Sequence, residues 1–215
     1  MRNKGSLLKE LPILVVVALV VSLFIKTFLV QFFYIPSGSM ENTLQIKDRV
    51  AVNKVPFISN TIKRGDVVVF RDPNNWLPEI IDYSTNKYVA KAKSALVTVG
   101  VLPNPAKQYL VKRVIGVGGD RVVCCTKDGK LTINGVEVTE PYIFAGNKPS
   151  EMNFDVTVPK GKLWVMGDHR GASADSRYHQ DDINKGQVPL SRVTGRVFGV
   201  IWPFSNAKIV PSVPV

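Results

Sequence analysis

The chain has 215 residues, 45% of them hydrophobic, which is enough for one large domain or two small ones with a real core. Its 28 basic and 17 acidic residues leave a net charge of +11, which suits nucleic acid or an anionic membrane surface. The basic residues are scattered, with no dense Lys/Arg run and no interleaved aromatics, so nucleic acid is not expected as a partner.

From residue 11 to 25 the apolar character is interrupted only by Pro12 and Ser22, and Lys26 and Gln31 then break a continuation to Ile35. Fifteen clean residues fall short of the roughly 20 that span a bilayer, but Lys26 can snorkel to the headgroups and extend them. A cleavable secretory signal competes with this reading, because Arg2, Lys4 and Lys9 form a basic leader. Against it, no Ala-x-Ala-like site follows the run, and the first small residues, Ser37-Gly38-Ser39, come after bulky Phe32, Phe33 and Tyr34. The expectation is an uncleaved anchor: a cytoplasmic tail over 1–10, one transmembrane helix and a membrane-proximal segment over 11–33, and an extracytoplasmic domain over 34–215. The lipid bilayer is then the anionic partner.

Beyond Met40 the pattern is mainly β. Short strands are predicted over 49–55, 66–70, 109–116, 120–124 and 162–166, and a long one over 192–202 with Gly195 and Gly199 as bulges or bends. Asp128-Gly129 and Asn134-Gly135 mark tight turns, so 121–138 reads as a hairpin or meander. Residues 72–107 break the β pattern and read as an insertion or flap, with helix-compatible 88–99 and apolar 95–102 inside it. The proline-punctuated 139–159 reads as a loop or cap. Adjacent Cys124 and Cys125 rarely close a disulfide of normal geometry and are too few for a structural zinc site, so they read as a thiol pair on a strand.

Three places could carry chemistry. Ser39 sits in a Pro- and Gly-constrained turn directly after the apolar run, with its hydroxyl projecting, and a serine nucleophile needs a base. His169 and His179 are candidates, with aspartates nearby, although a solvated histidine is the simpler account of His179. Lys112 is the stronger candidate. Period-two alternation places it on one strand face with Leu110 and Val114, where lost hydration favours the neutral amine, while a snorkelling structural lysine remains the bland alternative. The third place is the Gly-, Asp-, Ser- and Arg-rich stretch 166–177, either a surface turn or a loop ordered by an Asp175–Arg177 ion pair.

Together these segments resemble the bacterial type I signal peptidases, membrane-anchored serine proteases that remove signal peptides from exported proteins. The resemblance rests on Ile35-Pro36-Ser37-Gly38-Ser39-Met40 with Thr43-Leu44, on Arg64-Gly65-Asp66-Val67-Val68-Val69-Phe70, on Tyr109 to Gly116 with Gly119-Asp120, and on Gly167-Asp168 through Arg177. It implies an antiparallel β-sheet catalytic core with an inserted cap, Ser39 as nucleophile and Lys112 as general base. It further implies that Ser173 orients the amine, that Asp175 and Arg177 brace the Ser173 loop, and that the Ser39 N–H and the Ser37 hydroxyl hold the oxyanion. Phe33, Ile35, Pro36, Met40, Leu44, Leu110 and Val111 match positions that bind substrate, in shallow pockets for the first and third residues before the cut. The implied partners are signal peptides of exported pre-proteins and the bilayer, close to the secretion translocon of a bacterial cytoplasmic membrane, with no metal or organic cofactor.

The chain departs from the family pattern at His169, where asparagine is expected, and at Gly171-Ala172, where a polar pair is common. Two other readings stay open: a self-cleaving Ser-Lys protease of the repressor type, and an anchored, non-catalytic β-domain that binds envelope polymers. The first lacks a helix-turn-helix pattern here. The second predicts that Ser39 and Lys112 lie apart.

Overall fold

The computed structural model describes residues 4–24, 29–55, 61–78 and 108–214. Helix α1 (Lys4–Phe24) comes first. Its apolar side chains from Leu11 to Val21 stand about half exposed or more. Among the described residues no helix is long and apolar enough to cross a membrane. The end of the 11–33 segment runs into strand β1 (Val30–Tyr34). The alternation of exposed Phe32 and Tyr34 with partly buried Phe33 is a strand pattern that the preceding apolar run conceals.

The core is antiparallel β. Strands β2 (Arg49–Asn53), β3 (Val67–Arg71), β4 (Tyr109–Val117), β9 (Lys162–Met166) and β11 (Val193–Trp202) stand within a residue or two of their predicted bounds. With β10 (Val188–Pro189) and β12 (Lys208–Ile209) they build an eight-stranded sheet in the order β1-β2-β11-β3-β4-β9-β10, β12 pairing with β11. The bulges predicted at Gly195 and Gly199 appear as register shifts of β11 against β3 and β2. Strands β5 (Arg121–Cys124), β6 (Leu131–Ile133), β7 (Val136–Glu137) and β8 (Phe154–Thr157) form a second sheet, order β7-β6-β5-β8. The 121–138 meander is therefore present, and Asn134 and Gly135 both take the positive φ of its tight turn, 53° and 82°. Residues 139–159 are not all loop, since β8 lies within them.

Strand β3 is buried on both faces: Val67 and Val69 enter one core cluster, with Ile35, Met40 and Leu44, while Val68 and Phe70 enter another, with Trp76, Leu110 and Val114. A third cluster between the sheets centres on Trp164, Ile115 and Val122. One cysteine expectation is corrected here. Cys124 and Cys125 are not a thiol pair; their sulfurs are bonded to each other, the peptide between them being cis and their Cα atoms 3.0 Å apart. The stretches 88–99 and 95–102 of the insertion lie outside the described residues.

Candidate active site

Lys112 lies mid-strand on β4, directly across from Val68 of β3 and between Leu110 and Val114. Only 4% of it is exposed, and its Nζ donates to Ser39 Oγ at 2.5 Å. Burial strips water from the ammonium and lowers its pKa from 10.5 to about 8; Asp175 and Asp168 pull it back up, and Arg177 pushes it further down. Both aspartates are already committed to arginines. Arg177 grips Asp175 with Nε and Nη2 at 2.8 and 2.9 Å, and Arg113 grips Asp168 at 2.8 and 2.6 Å, all four side chains buried. The lysine thus has negative charge nearby but no unopposed counter-ion.

Ser39 sits in a tight turn after β1, in which Glu41 N–H donates to Gly38 O and Leu44 N–H to Met40 O. The loop after β9 holds this turn from the other side. His169 N–H donates to Ser39 O at 3.2 Å, and Thr43 Oγ1 donates to Asp168 Oδ2 at 2.5 Å. Gly167 lies between them: a Cβ there would stand 2.2 Å from Ser173 Oγ and 2.4 Å from Ser39 O, so only glycine fits. Its N–H donates to Asp175 Oδ2 at 2.9 Å.

Ser173 is buried, and its hydroxyl donates to Asp175 Oδ2 at 2.8 Å; the hydrogen bond from Lys112 goes to Ser39 and not to Ser173. Asp175 also accepts from Arg177 N–H at 3.2 Å, and Arg177 Nη2 reaches Arg170 O at 2.8 Å. Asp175 and Arg177 thus form a buried, two-point ion pair within the loop after β9.

Neither histidine bonds Ser39 through its ring. His169 Nδ1 stands 3.0 Å from Glu41 Oε2 and stacks on Phe144 at 4.1 Å, while His179 stacks on Trp76 at 4.4 Å. Sequence reasoning missed Glu41, Thr43 as a hydrogen-bond donor, Arg113 and Asp168 as a pair, and the Arg170–Glu140 pair, which is buried and capped by the Tyr142 ring. Each pairs residues far apart in the chain, and one sequence carries no signal of such pairing.

A cleft of about 300 Å³ opens over Ser39 and Lys112. Phe33, Ile35, Pro36, Ser37, Met40, Leu110 and Val111 line it, together with Leu77, Tyr109, Ala172 and Ala174. Leu44 does not: it is fully buried in the cluster that holds Met40. Among its lining residues, the Phe33 and Tyr109 rings meet edge to face at 5.0 Å.

Residues 8–202 match the family described as "Signal peptidase, peptidase S26". The chain belongs to this family. The peptidase is 38% identical to the "Probable signal peptidase I" of Mycobacterium leprae, covering 98% of this chain and 82% of that one. It is likewise 38% identical to the signal peptidase I of Mycobacterium tuberculosis, over 98% and 78% of the two chains. A solved signal peptidase I from Enterococcus faecalis matches at 24% identity and a TM-score of 0.38, over 63% of this chain and 95% of that one. Membership makes the chain a serine endopeptidase of the signal peptidase type.

Proposed function

We propose that Ser39 is the nucleophile and Lys112 the general base of an endopeptidase that cuts signal peptides from exported pre-proteins after Ala-x-Ala. The observation that carries this reading is the 2.5 Å hydrogen bond between a 4% exposed lysine and a serine in an apolar cleft. The neutral amine takes the Ser39 proton as Oγ attacks the scissile carbonyl, and the ammonium then returns that proton to the leaving amine. A water, deprotonated by the same amine, hydrolyses the acyl-serine and restores the site. The Ser39 N–H and the Ser37 hydroxyl receive the developing oxyanion. Ser173, Asp175 and Arg177 hold the loop against which Ser39 and Lys112 pack.

The shallow apolar lining favours small side chains before the cut, because larger ones collide with Ile35, Met40 and Leu110. Strand β1 is a sheet edge, paired only with β2 among the described residues, so a substrate strand added there gains main-chain hydrogen bonds that position the scissile bond.

The bilayer is the expected partner surface, reached through the apolar segment 11–33 of a single-pass chain with its N-terminus in the cytoplasm, beside the translocon. The outward aromatic face of the sheet supports this. Phe32, Tyr34, Trp202, Phe204 and Ile209 are all exposed on β1, β11 and the turns around β12. The polymer-binding alternative needs Ser39 and Lys112 apart, and the repressor-type alternative needs a DNA-binding segment.

The test is processing of a pre-protein by the full chain in detergent or vesicles. Ser39→Ala and Lys112→Met should each lose processing by at least about a thousandfold, with unchanged far-UV circular dichroism. If both variants process as the wild type does, the dyad is wrong.

A further inference from the structure

The cleft has one wall that none of the sequence motifs contains. Leu77 lines it beside Tyr109 and Leu110, and it comes from the short segment that follows β3. That segment is firmly fixed. Asp72 Oδ1 accepts from Trp76 N–H at 2.9 Å and Asp72 Oδ2 from Leu77 N–H at 2.8 Å. The Trp76 side chain is 6% exposed, edge-on to Phe70 at 6.0 Å, and its indole N–H donates to Asp182 at 2.9 Å. The foot of β4 closes the loop: Asp72 N–H donates to Gln108 O at 2.9 Å and Gln108 Nε2 to Pro78 O at 2.7 Å. Leu77 is therefore a preset surface, half-buried against the cluster of Phe70 and Leu110.

Its place along the cleft decides what it can touch. Leu77 packs against the cluster that contains Leu110, and Lys112 lies two residues beyond Leu110 on the same face of β4, about 7 Å along an extended strand. The residue at the cut must sit over Ser39, next to Lys112. The third residue before the cut is two strand steps away, about 7 Å, with its side chain on the same face. We infer that Leu77 is a specificity-determining residue that limits side-chain size at the third position before the cut and leaves the residue at the cut untouched. This rests on the proteolytic reading above.

The test uses the full-length enzyme and two peptide series, one varied from Ala to Val, Leu and Phe at the third position before the cut, the other varied in the same way at the first. Trimming the isobutyl side chain to a methyl in Leu77→Ala should raise kcat/KM for Leu and Phe at the third position by about tenfold relative to Ala there. Leu77→Phe should do the opposite and penalise Val and Leu by a similar factor. Both variants should keep the wild-type ranking in the first-position series. Opposite shifts from the two variants cannot arise from misfolding, which lowers every rate together. Unchanged third-position selectivity in both, or a shift confined to the first position, overturns the assignment. A wild-type enzyme that cleaves neither series nor a pre-protein would instead sink the proteolytic reading itself.

Discussion

A lysine that is neutral over part of the physiological range ties rate and stability to one titration. With the Lys112 pKa lowered to about 8 by burial, the amine able to accept the Ser39 proton accumulates as pH rises through 8. The kcat/KM of peptide cleavage should climb about tenfold per pH unit below that point and level off above it. A flat profile from pH 6 to 9 would remove Lys112 as the base. Stability follows the same group. Between pH 8 and 10.5 the unfolded chain holds a proton that the folded one has released, so stability rises with pH across that window. Below pH 8 the full cost of the buried amine is present, and above 10.5 it vanishes. Lys112→Met should therefore stabilise the fold at pH 7 by up to about 3 kcal/mol in urea unfolding, a gain that fades above pH 10. Much of this was readable in the sequence, because alternation placed Lys112 between Leu110 and Val114. What alternation does not contain is the pair of arginine-bound aspartates beside the amine.

At the scale of elements, the loop after β9 packs against the Ser39 turn with several ties at once. Arg113 alone meets Asp168, Gly65 O and Thr43, and Tyr142 lies over its guanidinium at 4.0 Å. Arg113→Met leaves Asp168 charged and unpaired in the interior, and should cost about 3–5 kcal/mol in chemical denaturation. Gly167→Ala should largely spare secondary structure yet strongly depress kcat, because the added methyl displaces either Ser173 or the Ser39 carbonyl; wild-type turnover would show the packing to be slack. Reading the chain found the strands whose hydrophobic pattern is self-contained, such as β4 and β9. It lost β1, where a strand continues the apolar run of a helix, and β8, where only Phe154 and Val156 carry apolar signal among prolines and polar turns. It placed Leu44 in the substrate cleft, although a leucine inside a helical turn beside Met40 points as readily into the core. It also read Cys124 and Cys125 as separate thiols, a matter of backbone geometry that residue type does not record.

Across the whole molecule the polarity is uneven. The face of the large sheet that carries Phe32, Tyr34, Trp202, Phe204 and Ile209 is exposed and aromatic, and it adjoins the strand entered from α1. On anionic vesicles, the combined Trp202→Ser, Phe204→Ser and Ile209→Ser variant should bind about tenfold more weakly. Its cleavage of a short soluble peptide should remain at the wild-type rate. Equal vesicle binding would show that this face does not meet lipid.

Ser39 and Lys112 stand 73 positions apart in the chain, and the Arg177 clamp on Asp175 is later still. A polypeptide still emerging during synthesis therefore carries the alcohol long before it carries the amine or the loop that seats both. If the proposed Ser39–Lys112 dyad carries the cleavage, hydrolytic competence arrives only at the end of synthesis, so an immature copy has no means of nicking its neighbours.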